Sequence, residues 1–497
     1  MTRTNNAEVA PLSGPEQEGD EICCTCAGRT FTKAMWFVFL VVCLNIVLFA
    51  DQNLLAPALT PIAREFGFVE KYANGTVITE YDEDLDAYVA VVDGDMRDRK
   101  LVGDITLAFF VLGGTISLIV GYLTDVVNRR NTLAVVIVLG ETSCLATYFT
   151  TTYWGLFATR AATGVAIGGA IPLIYSLFGD LFSVKNRGKA VAAASIAQGA
   201  GSGIGQVLAG LIINDEGTNW RLPFVVVAVP AYFLVIILLL TVKEPERGTK
   251  EEAFQDLDEV NYSERISWEQ VKTLLKTPTF LLILLQGIPA SLPWGVIQGY
   301  LNDYLIEEKD VDRNQSGLVV LGFGFGAILG AVVGGFLADR LVDKKRRIPV
   351  VMGVTTTVGA FPLLALINAE PMAAIAYTLI AIPSGLIIGI TGSAVRVILV
   401  NTIAPSVRGS AFSLFALSDD IGKGMGAYIV SLLITAAGSR EAGLSISLLG
   451  WIIGALFHFC MVFTVEKDYK RTQDHLATAL LPEAGTLAAG KPGKLQI

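Results

Sequence analysis

The sequence predicts an all-α membrane protein: twelve transmembrane helices in two six-helix pseudo-symmetric bundles. Three observations carry this expectation. Apolar runs of membrane-spanning length recur along nearly the whole chain, a hydrophilic stretch over 243–278 divides them six and six, and a short motif stands at the same place in each half. A bilayer core about 30 Å thick needs roughly 20 consecutive, mostly apolar residues per helix. Such runs lie at 34–58, 101–124, 131–150, 154–179, 188–213, 220–242, 279–304, 316–339, 348–368, 372–396, 407–436 and 442–465. The 497 residues are 53% hydrophobic and 17% charged, whereas a soluble chain of this length would spend more charge on its surface.

Taken in order, residues 1–33 form a polar, acidic tail without the short apolar core and small-residue cleavage site of a removable signal peptide. Cys23, Cys24 and Cys26 cluster just before the first run, where juxtamembrane cysteines can be S-palmitoylated; incidental thiols are the alternative. No histidine stands near them to complete a zinc site, so no metal or other cofactor is expected. Cys43, Cys144 and Cys460 fall inside spans, where a thiol serves as a small hydrophobe. The first bundle covers 34–242 and includes a long loop over 59–100. The second covers 279–465 and is followed by a tail over 466–497. Many of the 50 glycines lie within the spans, where small residues let membrane helices pack closely.

Lys and Arg in short loops set membrane orientation. One set of connections is basic, with Lys33, Arg129, Arg130, Lys185, Arg187, Lys189 and Lys344 to Arg347, while the connections near 151 and 370 carry no Lys or Arg. Both termini are therefore expected in the cytoplasm and the 59–100 loop outside, where its Asn74-Gly75-Thr76 is an N-glycosylation acceptor. The linker is acidic at Glu251, Glu252, Asp256, Asp258 and Glu259. Trp268, Val271, Leu274 and Leu275 follow at helical spacing, as in an amphipathic helix at the membrane surface. The net charge of −9 and the lack of a basic patch give no sign of a nucleic-acid partner.

The repeat is the most specific feature. Gly121-Tyr122-Leu123-Thr124-Asp125 with Arg129 and Arg130 follows span two, and Gly335-Phe336-Leu337-Ala338-Asp339-Arg340 follows span eight. The glycine permits close approach of a neighbouring helix, and the aspartate can accept from backbone N–H groups or pair with an arginine. Such a pairing can open and close, which gives these residues a gating or structural role. Two copies at corresponding places resemble the signature loop of the major facilitator superfamily. The run Arg160-Ala161-Ala162-Thr163-Gly164 in span four, Gln198-Gly199-Ala200-Gly201 in span five and Asn219-Trp220-Arg221 before span six agree with it. Within that superfamily Phe49-Ala50-Asp51-Gln52-Asn53, Pro293-Trp294-Gly295 and Val400-Asn401-Thr402 look like spinster-type transporters. The sequence departs from many members in carrying Gln52 where an arginine follows the span-one aspartate, and in lacking a glutamate near Gly168.

An ionisable side chain within a span costs at least ~2.5 kcal/mol on insertion scales and should face a partner or a wet cavity. This selects Asp51 and Glu141 as proton-coupling candidates, Asp51 first, with a static interhelical partner as the alternative. Arg160 keeps its charge and can hold an anionic head group or pair with Asp51. Asp419 and Asp420 stand four and three residues before Lys423, spacings at which the lysine can pair on its own helix as a gating or structural unit. His458, flanked by aromatics, reads as packed. Gln286, Trp294, Tyr300 and Arg396 complete the candidate substrate site, with Pro289 and Pro293 bending span seven.

The resemblance implies a transporter working by alternating access on a small-molecule or lipid substrate. A lysophospholipid or related amphipathic lipid is favoured, and a proton gradient is the expected drive. The alternatives are a small organic anion and a transport-dead receptor or scaffold. No phosphate loop, nucleophile motif or metal-ligand cluster supports an enzyme. The membrane is expected to be the plasma or an endolysosomal membrane.

Overall fold

The structure, a computed structural model, describes residues 22–26, 29–82, 87–123, 127–182, 184–214, 216–244, 272, 274–341, 344–403 and 408–480. Its frame is helical. We number α1 Lys33–Gln52, α2 Ile105–Leu123, α3 Arg129–Ala146, α4 Tyr153–Leu181, α5 Val184–Ile212, α6 Leu222–Thr241, α7 Pro278–Gly299, α8 Arg313–Arg340, α9 Arg347–Ile367, α10 Ala374–Thr402, α11 Arg408–Ala437, α12 Leu449–Met461 and α13 Val465–Leu480. Among the described residues, ten helical stretches are long and apolar enough to cross a membrane. Helices also stand at the other two expected spans. Of these, α5 qualifies only as a shorter apolar stretch over Ile196–Ile212, and α11 carries Asp419, Asp420 and Lys423.

The helix contacts repeat with an offset of six. In the first group α1 packs on α5 and α6, α2 on α4, and α3 on α4 and α6; in the second α7 packs on α11 and α12, α8 on α10, and α9 on α10 and α12. Two seams join the groups, α2 against α11 and α5 against α8, and they are each other's counterparts. Glycine makes the tightest approaches. A Cβ at Gly164 or Gly168 of α4 would collide with the carbonyls of Phe109 and Gly113 on α2. In α7, Pro293 cannot donate to the Pro289 carbonyl, and that oxygen lies where a Cβ on Gly450 would stand 2.5 Å away.

The two ends of the bundle differ. At the end carrying residues 53–104, here the long-loop end, one apolar cluster draws on both groups, with Leu54, Leu101 and Trp220 from the first and Ile297, Tyr300 and Trp451 from the second. Toward the other, basic-loop end the core divides: one cluster takes residues only from Phe37 to Val242, another only from Leu274 to Val465.

The long loop is structured where it is described. Strands Thr79–Asp82 and Ala87–Ala90 pair, and Phe66, Phe68, Tyr153 and Trp220 form edge contacts that seat the loop on the first group. Asn74 lies exposed in the turn between Tyr72 and Thr76. Residues 124–126, with Asp125, and most of the linker lie outside the described residues, as does the side chain of Asp339. Gly121 borders Ser413 of α11, as a close-approach glycine should; around Gly335 nothing among the described residues comes within 4 Å of a Cβ.

Candidate functional site

The last turn of α1 brings Asp51 against α4. Arg160 donates from Nη1 to Asp51 Oδ1 at 2.9 Å and from Nη2 to the Asp51 backbone oxygen at 3.2 Å. The Cys144 thiol, from α3, donates to the same Oδ1 at 2.9 Å, and the Phe224 ring of α6 lies 5.0 Å from the guanidinium. All of this is buried, with Asp51 1% and Arg160 2% exposed. Glu141, one turn before Cys144 on α3, joins the group: single oxygens of Asp51 and Glu141 and the Cys144 sulfur lie within 4.8 Å of one another. Glu141 is 0% exposed and neither of its carboxyl oxygens has a hydrogen-bond partner. Three potential ligands this close could hold a cation, but Arg160 already supplies the positive charge, which argues against a metal at this place.

Arg160 also lines a narrow cavity of about 50 Å³ between the groups, with Gln52, Asn53, Phe109, Phe110 and Gln298. That is room for a few waters and not for an organic solute. Gln52 Nε2 donates to Gln298 Oε1 across it at 2.9 Å.

Above the cavity, at the long-loop end, a latch of four buried charges joins the groups. A π-helical turn over Asp98–Asp104 precedes α2 and sets Arg97 and Asp98 at its mouth. Arg97 reaches Asp98 Oδ1 at 3.1 Å and Asp303 Oδ2 at 3.4 Å; Arg440 reaches Asp303 Oδ2 at 2.7 Å and Asp98 Oδ2 at 3.1 Å. Each group contributes one arginine and one aspartate, so the charges balance. The Tyr300 hydroxyl donates to the backbone oxygens of Ala427 and Asp98 at 3.0 and 3.3 Å, and Thr60 donates to Glu307 at 2.7 Å. Sequence reasoning missed Arg97, Asp98, Asp303 and Arg440 as site residues. The available signal was that they stand at the mouths of spans that end on the same side.

The remaining candidates are dispersed. Lys423 pairs with Asp419 and Asp420 at 3.0 and 3.5 Å, the spacing the sequence anticipated, and Ser291 of α7 donates to Asp419. Gln286 is buried, Trp294 stacks edge-on with Phe323 and Trp451, and Tyr300 belongs to the latch. Arg396 is exposed toward the basic-loop end. His458 is fully buried with its Nδ1 3.5 Å from Thr356 Oγ1. In the repeated motif, Arg129 pairs with Glu244 at 3.0 Å and donates to Ser176 of α4, while the Glu244 carboxylate accepts the backbone N–H groups of Arg129 and Arg130 and so caps α3. Arg340 is exposed.

Two groups of apolar helices with repeated contacts and buried charges between them are the frame of a polytopic membrane protein, and comparison with known proteins gives its class. The sequence pattern of the Major Facilitator Superfamily matches residues 41–427 and, in a second overlapping match, 287–480, and the chain belongs to that family. Within it the chain is of the spinster type. It is 26% identical to human protein spinster homolog 1 over 399 residues, 74% of each chain. Human protein spinster homolog 3 is 25% identical over 341 residues, 65% of each chain. Among solved structures, a bacterial homolog of the human lysosomal transporter spinster, inward-facing and unoccupied, superposes with a TM-score of 0.70 at 16% identity, covering 88% of this chain and 98% of that one. A D-xylose-proton symporter gives a TM-score of 0.64 at 16% identity, covering 87% and 99%.

Proposed function

We infer that this chain is a secondary transporter that moves a lysophospholipid or related amphipathic lipid by alternating access, coupled to protons through Asp51 and Glu141. Twelve crossings form two pseudo-symmetric bundles, 34–242 and 279–465. The basic-loop end and both termini face the cytoplasm, in a plasma or endolysosomal membrane. The observation that carries this reading is the buried Asp51–Arg160 pair beside Glu141, with Arg160 lining a cavity between the groups. An ionisable cluster at such a place is the usual mark of a proton relay or solute path. The repeated helix contacts support rigid-body rocking of one group on the other. The divided core toward the basic-loop end suits a conformation closed outside and parted inside. One structural relative is a bacterial homolog of a human lysosomal transporter and another is a D-xylose-proton symporter, and both lend support to this reading.

A second reading, a small organic anion bound by Arg160, draws on the guanidinium that lines the cavity. In either reading Gln286, Trp294, Tyr300, Arg160 and Arg396 contribute to binding or gating. The test is uptake of radiolabelled lysophosphatidylcholine and of lactate into proteoliposomes, with and without an inward proton gradient. Gradient-stimulated uptake of the lysolipid supports the reading, uptake of lactate alone moves it to the anion, and binding without flux of either makes the chain a receptor.

A further inference from the structure

Asp51 and Glu141 are both buried carboxyls, yet their surroundings differ. Asp51 accepts from Arg160 Nη1 and from the Cys144 thiol, and a second Arg160 nitrogen holds its backbone oxygen. Neither Glu141 oxygen has a hydrogen-bond partner among the described residues. The groups that face Glu141 are Asp51 from α1, Arg160 from α4 and Cys144 from α3 itself; α6 contributes Phe224, which does not titrate. Two carboxyls thus share one guanidinium, and that guanidinium is committed to Asp51. An ionised Glu141 would be an uncompensated charge without solvation, next to another negative group, a costly arrangement in a site closed to water. The neutral acid meets no such penalty.

We propose that Glu141 is the carboxyl that carries the coupling proton in this conformation, while Asp51 remains the fixed partner of Arg160. The inference rests on the proton-coupled reading above and divides its labour. When a change of conformation admits water and Glu141 releases its proton to it, the new charge competes with Asp51 for Arg160. That guanidinium lines the cavity, so the competition loosens the α1–α4 contact that frames one wall of it. Proton loss at α3 is thereby converted into a change in the shape of the solute site, with Asp51 and Cys144 as positioning residues.

The most direct test is infrared difference spectroscopy of the full-length protein between acidic and alkaline pH, following the carbonyl stretch of protonated carboxylic acids. Glu141→Gln, which keeps the shape of the neutral acid and adds no charge, removes a band that the unmodified protein shows, and Glu141→Asp restores one at a shifted frequency. Survival of the full band in Glu141→Gln would overturn the assignment. Transport supplies the second readout, with radiolabelled lysophosphatidylcholine as the probe. For one proton per solute, the unmodified protein accumulates about tenfold per pH unit of gradient. Glu141→Gln loses that accumulation but keeps exchange, and gradient-driven accumulation by Glu141→Gln would likewise overturn the assignment. If the unmodified protein ignores the gradient, the coupled reading falls, and the infrared band still decides where the proton sits.

Discussion

The two ends of this molecule are built on opposite plans. At the long-loop end the halves share one apolar cluster and four interleaved charges, Arg97 and Asp98 from one side with Asp303 and Arg440 from the other. At the basic-loop end each half keeps a core of its own. Under the alternating-access cycle proposed above, the difference teaches which contacts must break. Charges that pair within one half, such as Arg160 with Asp51 or Arg129 with Glu244, can travel with it; those of the latch must separate whenever that end opens.

The largest expected effect is at the latch. Arg440→Ala leaves Asp98 and Asp303 sharing one arginine in a buried site, a change that costs about 3–5 kcal/mol when a buried pair is broken. It should therefore shift the balance between closed and open long-loop ends by a factor on the order of 100 or more, read as reactivity of a cysteine introduced at Gln298 toward a membrane-impermeant thiol reagent. Arg160→Ala sharpens the contrast. It removes a buried pair of comparable worth inside one half, so it should lower the thermal midpoint of the purified protein while leaving the reactivity at position 298 from the long-loop side nearly unchanged. Gly168→Ala, which forces α4 off the Gly113 carbonyl of α2, should cost about 1–3 kcal/mol of stability in the same melting assay. The smallest effect is expected at Glu244→Gln, which weakens a partly exposed cap and ion pair at the start of α3 by about 1 kcal/mol.

The helical frame was legible because a bilayer demands apolar runs of fixed length, and even α5 and α11, diluted by small and charged residues, stood where the repeat called for them. The Asp51–Arg160 pair was legible in part, since a charge inside a span needs a partner and few were on offer. What Glu141 faces was not, because the sequence does not fix the rotation of α3 against α1. The latch was hidden for a different reason: Arg97 and Asp98 close a loop rich in charges, and nothing local distinguishes a solvated charge from one that the short helix Leu301–Glu307 after α7 and the start of the last span will cover. The final segment was read as a tail, yet Asp468 of α13 caps α7 at the Thr279 N–H at 2.8 Å, and Thr472 donates to the Thr402 carbonyl of α10. Both are long-range contacts that no local pattern announces.

The account turns on the halves moving as bodies about the cleft, with the latch holding one end. Spin-label distances test this directly, with one pair at Glu216→Cys and Glu308→Cys on the long-loop end and another at Lys243→Cys and Arg347→Cys on the basic-loop end. With Arg440→Ala added, the first distance should lengthen and the second shorten in the same population of molecules. If both distances stay where they are, or change independently of each other, the latch does not govern the cycle and the rigid-body account is wrong.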